Sequence, residues 1–196
     1  MVLVRPGDAL IFDVDGVLVN TVESFHAATI ETVRRLSGRK PTLDEIMMLK
    51  EADGFNDDVD VAAELLRQRG VTVARKQVET LFLKIYEGNP EGTGTVRKER
   101  SLVERRTMEV LKAHFSLAIF TGRLRRHMTS AVNRFGFHEF FKAWVCLEDT
   151  LQDRRKPHPY WMFLALARLG LTKVAYFGDM PDDMRCAKAA ALTATG

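Results

Sequence analysis

Four short apolar runs in this chain each break off at small or polar residues, and that recurrence constrains the fold more than any other feature. Residues 9–12 (ALIF) run into Asp13-Val14-Asp15-Gly16, and residues 117–120 (LAIF) into Thr121-Gly122-Arg123. Residues 143–147 (AWVCL) run into Glu148-Asp149, and residues 174–177 (VAYF) into Gly178-Asp179. Short continuous apolar runs of this kind read as strands buried on both faces. Helical patterns over 101–114, 124–135, 160–169 and 181–190 alternate with the later runs. Strands alternating with helices predict an α/β fold, a parallel sheet with helices on both faces. Such sheets bind ligands beyond the carboxyl ends of their strands, which is where all four polar endings fall.

The stretch from residue 20 to residue 89 departs from this alternation. It has helical periodicity over 22–36, 43–50, 57–69 and 74–86, and no strand-like run. Thr42 and Asp57 suit helix N-caps, and Gly38 and Gly70 suit helix stops. An all-helical cap domain at 20–89 is therefore expected, inserted after the first strand of a core made of 1–19 and 90–196. The Gly- and Pro-containing residues 88–94 would be the return linker.

Composition narrows the function classes. With 196 residues, 46% hydrophobic and 28% charged, the chain can bury one full core and a small accessory domain. A net charge of +3 is not the footprint of a dedicated nucleic-acid binder. The basic clusters at 97–100 and 105–106 read as solvated faces. Arg123 with Arg125-Arg126, and Arg154-Arg155-Lys156, lie beside strand ends where positive charge would steer an anion. The two cysteines, Cys146 and Cys186, have apolar surroundings and no metal-binding spacing, so free buried thiols in a reducing compartment are expected. The first eight residues are too soon charged for a signal peptide, and no run approaches a membrane span. A cytoplasmic protein is expected, with no membrane or nucleic-acid partner, as a monomer or homodimer.

The strand ends carry the chemistry. Asp13 and Asp15, two residues apart on an extended chain, point the same way and suit either a shared cation or a nucleophile and acid/base pair. Gly16 allows a sharp turn after them. Taken alone, the pair suits a solvated turn equally well. Asp179, with Asp183 four residues on, suits a hard cation such as magnesium, which takes oxygen ligands. Either Asp179 or Asp182 also suits a helix N-cap, with Pro181 at the first helical position. Thr121 and Gly122 combine a hydroxyl with backbone N–H groups before a helix, an anion site. Lys156 before Pro157 means little alone.

Together, Asp13-x-Asp15-Gly16, Thr121-Gly122, Lys156-Pro157 and Gly178-Asp179-x-x-x-Asp183 resemble, in order, the motifs of the haloacid dehalogenase superfamily. The helical insertion is similar to the cap of that superfamily's subfamily I. The resemblance implies a Rossmann-like core with a small helical cap, and a Mg²⁺-dependent phosphatase acting on a small-molecule phosphate monoester. By that resemblance Asp13 would be the nucleophile, Asp15 the acid and base, Thr121 and Gly122 the phosphoryl clamp, and Lys156 the neutralising cation. Asp13, Asp179 and the backbone carbonyl of Asp15 would hold the metal. Asp183 would ligate it directly, ligate it through water, or orient Lys156.

Asp15 distinguishes the chain from the superfamily's dehalogenases and phosphonate-cleaving members, which lack it. Val17 stands where many relatives have Thr. Relatives of the phosphomutase type carry a cap histidine where Phe25 stands; His26 is one position away, about 100° around a helix. A phosphomutase and a non-catalytic regulatory protein on the same fold are the alternatives. Substrate contacts are expected from Arg123 and from the cap loop 50–57, through Lys50 and Asn56, although that loop also suits an ordinary connection capped by Asp57. Relatives usually continue past residues 191–196 with another strand and helix, so the expectation is either a sheet short at one edge or a truncated chain.

Overall fold

Strand alternation sorts the sheet residues onto two faces, and each face has its own helices. The computed structural model describes residues 4–51, 55, 57–89, 92–151 and 154–195. Its elements are, in order, β1 (Ala9–Phe12), β2 (Val19–Asn20), α1 (Val22–Ser37), α2 (Leu43–Glu51), α3 (Asp58–Gln68), α4 (Arg75–Glu87), β3 (Arg100–Ser101) and α5 (Arg105–His114). Then follow β4 (Ser116–Phe120), α6 (Arg125–Arg134), β5 (Phe141–Val145), α7 (Tyr160–Leu169), β6 (Val174–Phe177) and α8 (Pro181–Thr195). The main sheet has the order β5-β4-β1-β6 and is parallel throughout.

Leu10, Phe12, Leu117 and Ile119 face one side and pack with Met108 of α5 and Met128, Ala131 and Val132 of α6. Ile11, Ala118, Phe120, Ala143 and Val145 face the other and pack with Trp161, Met162 and Ala165 of α7 and Cys186 and Ala190 of α8. All four residues of β1 are buried, because this strand is covered on both faces and paired at both edges. This is the α/β architecture expected from the sequence. Cys146 and Cys186 are free and buried, and burial pushes both thiols up to about 11. Among the described residues β6 pairs only with β1, and Phe177 at its end is 44% exposed.

The chain divides into two compact units, Met1–Asn20 with Ser101–Gly196, and Thr21–Arg100. The second has a separate core joining its four α-helices, built from Ala28 and Val33 of α1, Ile46 of α2, Leu65 and Leu66 of α3, and Val78 and Phe82 of α4. It includes a single 3-10 turn at Thr95–Lys98, and so runs past the boundary expected at residue 89. Tyr86 ties that segment down by donating to the buried Glu99 carboxylate at 2.5 Å. Thr42 and Glu45 cap α2 reciprocally, the Thr42 hydroxyl accepting from the Glu45 N–H and the Glu45 carboxylate from the Thr42 N–H. Asp57 caps α3 by accepting from the Val59 N–H at 2.8 Å.

Two helix boundaries differ from expectation by more than one residue. The helix expected from residue 101 begins at Arg105, because Arg100–Ser101 is drawn into a two-stranded sheet with Val19–Asn20 and Ser101 then bonds around a turn to Val103. The last helix continues to Thr195 rather than stopping at residue 190.

Candidate functional site

Strand register lines up the polar endings. Phe12 sits opposite Ile119 on one side and Phe177 on the other, so Asp13, Thr121 and Gly178 leave the sheet at one rim. Asp13 is fixed at this rim by donating its N–H to the Phe177 carbonyl at 2.8 Å, and Thr121 by donating to the Val145 carbonyl at 2.9 Å. After Asp13 the chain turns: the N–H groups of Leu18 and Val19 both donate to the Val14 carbonyl, at 2.9 and 2.8 Å.

Asp13 is buried, and its carboxylate faces the Lys156 ammonium at 3.0 Å. Lys156 also reaches Asp183 Oδ1 at 2.7 Å. Burial raises the Asp13 pKa to about 6; Lys156 opposes the rise, and Asp15 and Asp183 add to it. Burial acts to lower the Lys156 pKa, but the Asp13 and Asp183 carboxylates outweigh it and the ammonium is held charged. For Asp183 burial acts upward, yet Lys156 and the Tyr176 hydroxyl bring the net shift below the usual range. Asp179 is raised, by burial first and then by the charges of Asp183 and Asp15.

Carboxylate oxygens of Asp13, Asp179 and Asp183 all lie within 4.8 Å of one another. An all-oxygen set of anionic donors at this spacing suits a hard divalent cation, and Asp13 and Asp179, both raised first by burial and then by neighbouring carboxylates, would have those charges offset by such an ion. Two glycines make the approach possible. Gly16 has φ +71°, and a Cβ there would lie 1.8 Å from Asp179 Oδ2. A Cβ on Gly178 would lie 2.5 Å from the Asp183 side chain.

On the β4 side, the buried Thr121 hydroxyl accepts from the Arg123 N–H at 3.2 Å, leaving its own proton to donate. The Gly122 N–H has no partner among the described residues, and a Cβ at Gly122 would meet nothing within 4 Å. These are an open donor and an open space. The helix end beyond is a different matter: the Arg125 N–H already donates to the Glu148 carboxylate, at 3.0 and 2.9 Å to its two oxygens. The anion cradle expected there thus reduces to Thr121 and Gly122.

Of the remaining expected contacts, Arg123 and Lys50 have partners of their own. Arg123 is buried and its guanidinium donates to Asp15. Lys50 lies in the helical unit, paired at 2.8 Å with the buried Asp58. Asn56 lies outside the described residues. Phe25 packs against Phe82 and Tyr86, and the neighbouring His26 is pulled below its usual pKa by burial and by Lys50.

Two residues of the site were not singled out from sequence. The Tyr176 hydroxyl donates to Asp183 Oδ1 at 2.7 Å, and the Lys156 ammonium sits 4.5 Å from the centre of the Phe120 ring. Both lie within the apolar runs of strands, Tyr176 in β6 and Phe120 in β4. The signal available was a phenol two residues before Gly178 in an otherwise apolar run, since a half-buried tyrosine hydroxyl seeks a partner.

One family, described as haloacid dehalogenase-like hydrolase, matches residues 10–196. The chain belongs to that family. The relatives that this haloacid dehalogenase-like chain matches are distant. Over 186 residues it is 28% identical to a phosphoglycolate phosphatase of Pseudomonas fluorescens, covering 92% of this chain and 65% of that one. It is also 27% identical over 202 residues to an imidazoleglycerol-phosphate dehydratase of Phytophthora nicotianae, covering 99% of this chain and 44% of that one. The chain thus spans less than two thirds of the length of either relative. Among solved structures, a phosphatase from Thermococcus thioreducens superposes with a TM-score of 0.72 at 26% identity, over 92% of this chain and 86% of that one. The haloacid dehalogenase-like fold accounts for the parallel sheet and for the Asp13 rim at its carboxyl edge.

Proposed function

We propose that this protein hydrolyses a small-molecule phosphate monoester through a phosphorylated Asp13. The observation that carries the reading is the Asp13–Lys156–Asp183 chain, a buried carboxylate aimed out of the sheet rim and held by an ammonium. Phosphoryl transfer asks for positioning and positive charge more than for elaborate covalent chemistry. The phosphatase names borne by the Pseudomonas and Thermococcus relatives support the same reaction class.

In this mechanism an Asp13 carboxylate oxygen attacks phosphorus as the ester P–O bond breaks, and Asp15 gives its proton to the departing alkoxide. Water then attacks the aspartyl-phosphate, Asp15 takes the water proton, and Asp13 and inorganic phosphate are released. Lys156 neutralises charge beside Asp13, and the Thr121 hydroxyl with the Gly122 N–H holds phosphoryl oxygens. Asp13, Asp179 and the Asp15 carbonyl would hold Mg²⁺, with Asp183 close by. When bound, the ion supplies positive charge that offsets repulsion between the carboxylates and the phosphoryl oxygens. The raised Asp13 pKa supports a need for that charge, since the nucleophile must be ionised.

A panel of sugar phosphates, phosphoglycolate-like acids and nucleoside monophosphates, assayed with Mg²⁺ and with chelator, tests the proposal. Mg²⁺-dependent phosphate release from at least one ester, abolished in Asp13→Asn, is the expected result. Absence of release across the panel rejects it, and a product that keeps its phosphate at another position replaces it with a mutase.

A further inference from the structure

Arg123 carries a cation at the rim, and sequence reasoning assigned it to substrate. Its geometry assigns it elsewhere. The side chain is 3% exposed, whereas that of Asp15 is 31% exposed. Nε donates to Asp15 Oδ1 at 2.8 Å, and Nη2 donates to the same oxygen at 2.6 Å. Both bonds therefore converge on one carboxylate oxygen, and Oδ2 of Asp15 accepts none from any described residue.

The backbone of Arg123 is held as firmly as its tip. Its N–H donates to the Thr121 hydroxyl, and its carbonyl accepts from the Leu147 N–H at 3.0 Å. One short loop after β4 thus bears the buried Thr121, Gly122 with open space where a Cβ would lie, and Arg123, turned inward onto the turn after β1. Resting on the phosphatase reading above, we infer that Arg123 is a positioning residue for Asp15. It anchors Oδ1 with two donors, so that Oδ2 is the oxygen presented to the leaving group and then to water. A planar fork can do this with two donors on one face, whereas a lysine offers a single rotating point charge.

The test compares wild type, Arg123→Lys, Arg123→Ala, Asp15→Asn and the Arg123→Ala/Asp15→Asn double variant on an alkyl phosphate and on p-nitrophenyl phosphate, with far-UV circular dichroism as a folding control. Arg123→Ala is expected to lower kcat on the alkyl phosphate roughly 10–100-fold with little change in KM. Arg123→Lys is expected to rescue only part of that loss. On p-nitrophenyl phosphate, whose leaving group needs no proton, the first step should survive as a burst of nitrophenol followed by slow turnover. In the Asp15→Asn background the arginine change should cost less than about 2-fold more, because its effect passes through Asp15. A raised KM at unchanged kcat, or a loss that multiplies in the double variant, overturns the positioning role and leaves the phosphatase reading standing. Failure of wild type to release phosphate from any ester overturns both.

Discussion

Asp13 sits at the meeting point of burial, charge and reactivity, and its titration is measurable. Its pKa lies at about 6 against an ordinary 3.8, raised by burial first. Between those values the folded, metal-free protein binds a proton that the unfolded chain releases, so this group's contribution to stability falls as pH rises through the window. Asp13→Asn removes the titration. In chelator, the variant should therefore gain stability relative to wild type as pH goes from 4 to 7, by on the order of 2 kcal/mol. Chemical denaturation at the two pH values measures it, and an unchanged difference would show that the carboxylate is not destabilised in the fold. Asp13, Asp15, Thr121, Lys156 and Asp179 were legible in the sequence because each closes a strand or precedes a proline within an ordered set of motifs. The roles of Tyr176 and Arg123 were not, because a hydroxyl partner seven residues downstream and a guanidinium partner 108 residues upstream exist only once the sheet is paired.

Elements matter here for the rim they bring together. Apolar composition alone disclosed the four main strands, since burial on both faces leaves no room for polar residues within them. It did not disclose β2 and β3, two residues each, whose pairing depends on a partner distant in sequence and which carry no periodic signal. It also could not show that residues 101–104 give up helical structure to that pairing. The turn after β1 sets a strict limit at Gly16, where φ is +71° and a Cβ would overlap Asp179. Gly16→Ala should leave the sheet intact and displace Asp179. Magnesium at about 100 times its dissociation constant stabilises a one-site protein by roughly 2.7 kcal/mol, about 5–10 °C for a chain of this size. Wild type should show that shift in a thermal melt, and Gly16→Ala should show little of it at the same Mg²⁺ concentration. An equal shift in both would remove Asp179 from the metal site.

At the scale of the whole molecule, each unit has a core that contains no residue of the other. Residues 21–100 form one continuous stretch of chain whose core joins α1, α2, α3 and α4. Expressed alone, this segment should show a helical far-UV spectrum and a cooperative melt, and Leu65→Ala should weaken it by about 2–5 kcal/mol through the cavity it leaves. A non-cooperative melt would show that the helices depend on the sheet unit. No helix among the described residues is long and apolar enough to cross a membrane.

The short pairing beside the insertion bears on how such a chain diversifies. Leu102 donates its N–H to the Leu18 carbonyl at 2.9 Å, so the sheet unit is already stitched together where the 21–100 segment departs and returns. Because the stitch lies within the sheet unit, exchange of that segment for one of different length or shape need not unpick the pairing beside Asp13. Selection can thus treat it as an interchangeable cassette, free to change in length and shape while the Asp13 rim is inherited unchanged.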